Sequence, residues 1–96
     1  MKTDEAIQFE WDEGNREKSK KHGVETKESE EAFFDTKKVI YKDVFHSTKE
    51  ERFILLGKTK LKLLLYIVFT YRKQSVRIIS ARNINRKEVH LYEKET

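Results

Sequence analysis

The stretch from Leu63 to Tyr71 is a continuous apolar run in a chain of which 40% is charged. Such a run does not alternate between core and solvent, so it needs cover on both faces. It predicts the central strand of a sheet. Only 36% of the 96 residues are hydrophobic, which suits a single domain spanning 1–96 with one modest core. The longest apolar stretch, Leu61 to Phe69, is broken by Lys62 and is far too short to cross a bilayer.

The remaining elements arrange themselves around that strand. Ile7, Phe9 and Trp11 alternate with polar residues, the pattern of a half-buried strand. Asp12 offers a helix N-cap, acidic residues come first, Lys20-Lys21-His22 come last, and Gly23 stops the helix. Thr26 is placed to cap a second helix that turns Ala32, Phe33 and Phe34 inward. After a turn at Asp35–Lys38, Val39 and Tyr41 alternate as a second strand, with Asp43 at its end.

His46 to Glu50 is a polar connection, and Arg52 to Leu56 is a third strand ending near Gly57. Arg72-Lys73-Gln74 makes a hairpin loop into Val76–Ala81. Asn85 and Glu88 have capping-box spacing, Ile84 and Val89 hold the staple positions, and Leu91 and Tyr92 can pack on the sheet. The predicted order is β-α-α-β-β-β-β-α, an α+β domain with helices on an antiparallel sheet.

Charge is unevenly distributed. Residues 1–35 carry six Lys/Arg and eleven Asp/Glu, net −5; residues 36–96 carry fifteen and six, net +9. A basic C-terminal two-thirds fits a polyanion such as nucleic acid. With no cysteine, disulfides and thiolate metal sites are excluded, and the chain suits a reducing cytoplasm. The acidic start, Met1-Lys2-Thr3-Asp4-Glu5, lacks the apolar region of a signal peptide.

The chemistry-bearing candidates are few. His22, His46 and His90 have no i,i+4 histidine partner, so no metal site is expected. There is no glycine-rich phosphate loop and no nucleophile elbow. His46 in a polar loop can exchange protons near neutral pH, although an exposed loop histidine needs no such role. Glu50-Glu51-Arg52 offers a carboxylate beside an arginine, or a charged sheet edge. Phe33, Phe34, Phe45, Phe53, Phe69 and Tyr66 read as core, while Tyr71 and Tyr92 at element ends read as more open. From Val76 to Glu88 a strand passes into a capped helix, punctuated by Arg77, Arg82 and Arg86. Backbone-held guanidinium groups suit phosphate oxygens.

Together these segments resemble one family, the BrnT-type toxins of bacterial type II toxin–antitoxin pairs. The matching pieces are Phe9-Glu10-Trp11-Asp12, Lys21-His22-Gly23-Val24, Glu30-Glu31-Ala32-Phe33-Phe34, His46-Ser47 and Glu50-Glu51-Arg52-Phe53. They continue with Leu56-Gly57, Val68-Phe69-Thr70, Arg77-Ile78-Ile79-Ser80-Ala81-Arg82, Arg86-Lys87-Glu88 and Leu91-Tyr92-Glu93. The resemblance runs from Phe9 to Lys94. It departs at Lys18-Ser19, where members often have Asn and an apolar residue, which predicts a loosely packed first helix. It departs again at Lys60-Leu61-Lys62, where members often have glycine, which predicts a different hairpin.

The resemblance implies a RelE-like fold and a cytoplasmic, metal-independent and cofactor-free endoribonuclease that arrests translation. It implies a cognate DNA-binding antitoxin of BrnA type, with two toxins per antitoxin dimer, and contact with operator DNA only through that antitoxin. Metal-free RNA cleavage needs a base, cations on the phosphate and an acid. Arg77, Arg82 and Arg72 are the phosphate candidates, and Glu51 and His46 the acid/base candidates. Lys21, His22 and Arg52 are expected RNA contacts. Arg86 binds RNA or complements its own helix, and Tyr92 positions RNA or packs in the core. Two rivals use the same surface: a nucleic-acid-binding module without catalysis and a protein-interaction module.

Overall fold

The computed structural model describes residues 7–46 and 49–95, with the side chain of the last of these left aside. Ser47 and Thr48 of the expected polar connection, and the acidic N-terminal residues, lie outside the described residues. In chain order the elements are β1 (Gln8–Glu10), α1 (Glu13–Lys21), α2 (Thr26–Phe33) and β2 (Val39–Lys42). They continue with β3 (Phe53–Lys58), β4 (Leu64–Arg72), β5 (Ser75–Asn83) and α3 (Arg86–Glu95). This is the predicted α+β order. The five strands form one sheet in the order β1-β5-β4-β3-β2, so the Leu63–Tyr71 run does supply its middle strand. Neighbours are antiparallel except β1, which joins β5 in parallel. The two-helix crossover after β1 carries the chain across to the opposite edge.

The two faces of the sheet are unequal. On one, Leu55, Leu65, Ile67, Phe69, Val76, Ile78 and Ala81 are buried beneath Val24, Ala32 and Phe33 of the α1–α2 unit. On the other, Ile54, Leu56 and Tyr92 make a smaller core flanked by half-buried Val39, Tyr41, Leu64, Tyr66 and Val68. Helix α3 covers only part of this second face. Leu55 and Leu56 are both fully buried although they point to opposite sides, the mark of a sheet with cover on both faces. Gly57 is needed where α2 crosses β3: a Cβ there would lie 2.5 Å from the Ala32 carbonyl oxygen.

Local chemistry explains the helix ends. Asp12 accepts from the Asn15 backbone N–H at 3.0 Å and Asn15 Oδ1 accepts from the Asp12 N–H at 2.7 Å. Gly23 takes φ +77 as the helix stop. Asn85 and Glu88 form the expected reciprocal cap, each bond 3.0 Å. The second helix departs from expectation: Glu25 is its N-cap and Thr26 its first residue, with the Glu25 N–H donating to Glu28 Oε1 at 2.9 Å.

Three further expectations are corrected, for α1, for Phe34 and Phe45, and for Leu91. α1 is not loosely seated. Ser19 is fully buried, and Asn15 Nδ2 donates to the carbonyls of Glu10 and Ile78 at 2.9 and 2.8 Å. Phe34 and Phe45 are not core residues; Phe45 is 87% exposed. Tyr92 takes the core alternative: it is 4% exposed, with its hydroxyl donating to Asp35 Oδ2 at 2.6 Å. Leu91, one residue before it, faces outward, because a helix turns adjacent residues about 100° apart. The turn before β4 holds a left-handed residue, Lys62 with φ 70.

Candidate functional site

The arginines are positioned by an irregularity in β5. Val68 pairs with Ser80, but its neighbour Phe69 pairs with Ile78, so Ile79 is an extra residue in the strand. Residues 77 and 82 would face opposite sides of a regular strand. With the bulge between them, Arg77 lies opposite Thr70 and Arg82 opposite Tyr66, and these two β4 residues share one face. Arg77, Ser80, Arg82 and Arg72 therefore all stand on the partly covered face of the sheet.

Arg77 and Arg72 belong to one cluster. The Arg77 side chain is 17% exposed and lies 2.9 Å from Asp12 Oδ2 and 3.2 Å from Glu10 Oε2. Glu10 also reaches Arg72 at 3.4 Å, and Glu50 stands 3.8 Å from the Arg72 Nε. A cleft of about 330 Å³ opens here, with Lys18, Arg52, Arg72 and Arg77 as its cations and Glu50 as its carboxylate. Gly14 and Asn15 bring the N-terminal turn of α1 to the same cleft. Asp12 is held below the ordinary carboxylate range, first by the Asn15 backbone N–H and then by Arg77.

Arg82 makes a second cluster. Its guanidinium forms a two-pronged pair with Glu88, at 2.9 and 2.6 Å, and sits 3.9 Å from the centre of the Tyr66 ring. Burial pulls the Glu88 carboxyl up, but Arg82 and the Asn85 hydrogen bonds outweigh it and hold it below its ordinary value. Burial raises the Tyr41 and Tyr66 phenols, reinforced at both by Glu88 and Asp43 and at Tyr41 also by Tyr66, so both stay protonated at neutral pH. Five residues of strand place this cluster roughly 15 Å from Arg77.

His46 lies at the end of β2. Its Nδ1 is 2.9 and 3.1 Å from the two Asp43 carboxylate oxygens, and its ring is 66% exposed. Asp43 is buried, and its N–H donates to the Arg52 carbonyl at 2.8 Å, which ties the pair to the strand that brings Arg52 to the cleft. With Nδ1 engaged, Nε2 is the ring nitrogen left to exchange a proton with a ligand.

The sequence candidates are thus sorted by geometry. Arg52, Arg72 and Arg77 come together, and Glu50 rather than Glu51 joins them. Glu51 turns to Lys42, 3.0 Å away. Lys21 and His22 sit at the far end of α1, roughly 13 Å along the helix from Asp12. Arg86 is exposed in the first turn of α3. Tyr92 is sealed in the smaller core. Sequence reasoning missed Lys18, Glu10, Asp12, Asp43 and the Tyr41–Tyr66 pair, and took Glu51 where its neighbour Glu50 lines the cleft. Of these, only Asp43-x-x-His46 carried a readable signal, an acid three residues before a histidine across a turn.

Among the described residues, no group of three or more His, Asp or Glu side chains could hold a metal ion. No described helix is long and apolar enough to cross a membrane.

Fold and site define an α+β protein whose half-open sheet face carries carboxylate-braced arginines, with a histidine–aspartate pair joined to Arg52 through the backbone. A family model described as "Ribonuclease toxin, BrnT, of type II toxin-antitoxin system" matches residues 11–88, and the chain belongs to that family. Comparison with curated proteins gives no match. The family match spans α1 to the first turn of α3, and therefore Arg52, Arg72, Arg77, Arg82 and the Asp43–His46 pair.

Proposed function

We propose that this chain is a RelE-like endoribonuclease toxin that cuts RNA without a metal and so arrests translation in the cytoplasm. Its activity is held in check by a cognate DNA-binding antitoxin of BrnA type. The observation that carries this reading is the convergence of Lys18, Arg52, Arg72 and Arg77 on one cleft, with the Asp43–His46 pair tied to Arg52 by a backbone hydrogen bond.

The cations bind the scissile phosphate and take up the charge that develops as the 2′-oxygen attacks. Glu50 accepts the 2′-hydroxyl proton. The new 2′-oxygen–phosphorus bond forms as the phosphorus–5′-oxygen bond breaks, and His46, protonated and steadied by Asp43, gives its Nε2 proton to the leaving 5′-oxygen. The products are a 2′,3′-cyclic phosphate and a 5′-hydroxyl end. In the resting site Glu10, Asp12 and Glu50 already pair with the arginines. They hold the guanidinium groups in place, and the phosphate displaces them.

Induced expression in a bacterial host tests the reading, with RNA integrity followed beside growth for the wild type and an Arg72→Ala/Arg77→Ala double variant. Growth arrest with rapid RNA loss, absent in the folded double variant, is the expected result. RNA binding without cleavage by pure wild-type protein would point to the non-catalytic nucleic-acid module instead.

A further inference from the structure

The sheet has a free edge at β2. Asp43 N–H bonds the Arg52 carbonyl, and this sets the phase of the antiparallel ladder, so Val39 and Tyr41 turn their backbone groups toward β3. Ile40 and Lys42 turn theirs outward. Among the described residues no backbone partner meets them. A protein usually blunts such an edge with charge, because an open row of donors and acceptors invites another strand.

One cleft lies along this edge; a second shares Lys38 and Ile40 with it and runs from there across the α1–α2 face of the sheet to Val76 and Ile7. The first, about 730 Å³, runs between β2 and α3, with Tyr41 and Leu91 in its wall. Lys37, Lys38 and Lys94 rim it, and among the described residues no acidic side chain lines it. The other, about 360 Å³, is walled by Phe33, Tyr71 and Val76 and is almost wholly apolar. An extended peptide laid along β2 would send successive side chains to opposite sides, one set to each cleft. Unpaired backbone, paired receptacles for alternate side chains and a one-signed rim together describe a strand-addition site for an acidic chain.

We propose that the β2 edge docks an extended acidic segment of the antitoxin, which joins the sheet as a sixth strand. The proposal rests on the toxin–antitoxin reading for its partner. Main-chain hydrogen bonds to Ile40 and Lys42 set the register, apolar side chains enter the two clefts, and carboxylates meet Lys37, Lys38 and Lys94. β2 runs directly into Asp43 and His46. A docked strand that continues past Lys42 covers the His46 ring, so docking and neutralisation become one event.

The test uses the full chain and the product of the reading frame beside its gene, with affinity measured by calorimetry and RNA cleavage measured in parallel. Ile40→Pro removes one outward N–H and blocks approach, yet suits an edge strand. A Lys37→Glu/Lys38→Glu/Lys94→Glu variant reverses the rim without touching the backbone. Each is expected to weaken the complex about tenfold or more while RNA cleavage persists. Wild-type affinity in folded Ile40→Pro overturns the docking, and if that variant unfolds, wild-type affinity in the lysine variant does the same. Wild-type protein that cuts RNA but does not bind the neighbour's product overturns the docking and leaves the ribonuclease reading standing. Binding without cleavage overturns the ribonuclease reading, and the two variants still judge the docking.

Discussion

Arg77 and Arg82 face the same side of the sheet although five positions separate them on one strand, because Ile79 bulges out between them. They nevertheless occupy different clusters. Arg77 shares the Glu10 carboxylate with Arg72 in the cleft at the N-terminus of α1, whereas Arg82 is clamped by Glu88 on Tyr66. The two arginines should therefore fail differently. Arg77→Ala is expected to lower kcat for RNA cleavage by roughly 10²–10³. Arg82→Ala should act mainly on RNA binding and on stability. Steady-state kinetics on a short RNA, beside thermal melts, separate the two. Equal kcat losses from both, with no loss of stability, would contradict the division.

Adjacent glutamates give a sharper test. Glu50 borders Arg72 in the cleft, while Glu51 pairs with Lys42 on the exposed edge. Glu50→Gln should depress kcat at least tenfold. Glu51→Gln should leave it within about twofold, since an exposed ion pair contributes little. The reverse ranking would move the base to Glu51.

The Arg82–Glu88 pair ties β5 to α3 and contributes to stability in a pH-dependent way. Glu88 titrates below the ordinary 4.5, so the native state binds fewer protons than the unfolded chain in that range. Its contribution is whole above pH 4.5 and disappears as pH falls through the lowered native value. Glu88→Gln should cost about 1–2 kcal/mol at pH 7, a figure kept small by the partial exposure of Arg82. Melts from pH 7 down to 3 should show the gap between wild type and variant closing on the acid side.

Tyr92 is expected to matter for the fold and not for RNA. Its hydroxyl donates to Asp35, which also accepts from the Lys37 and Lys58 backbone N–H groups. Burial, with that bond and the Asp35 charge, pushes the phenol up to about 12. A raised native value means the contribution is present below the ordinary 10.0 and is lost as pH rises toward 12. Tyr92→Phe should cost about 1–2 kcal/mol with RNA cleavage unchanged. A loss of cleavage without a loss of stability would return Tyr92 to the substrate surface.

Ser19 stands where the resemblance expects an apolar residue. Its side chain is fully buried, and its Oγ has no hydrogen-bond partner among the described residues. Removing that hydroxyl should help: Ser19→Ala is expected to stabilise by about 1 kcal/mol, read as a melting point several degrees higher. No gain, or a loss, would mean that the hydroxyl has a partner in solution.

The sequence by itself determined what local chemistry determines. The order of elements follows from alternation, from the long apolar run and from short-range signals. Asp12, Gly23 and the Asn85–Glu88 pair act within a few residues, so reading them needs no knowledge of the fold. The family, too, was legible, because its segments recur in order along the chain.

What only the tertiary structure decided depends on register and on neighbours far apart in sequence. The extra residue at Ile79 resets which way every later side chain on β5 points, and no composition or spacing announces it. Glu50 and Glu51 look alike as adjacent carboxylates, and only the placement of Arg72, more than twenty residues away, separates them. Phe45 and Tyr92 exchange the roles their apolar character suggests. A turn leaves one without cover, while α3 carries the other down onto Asp35, and burial is a property of what packs around a residue.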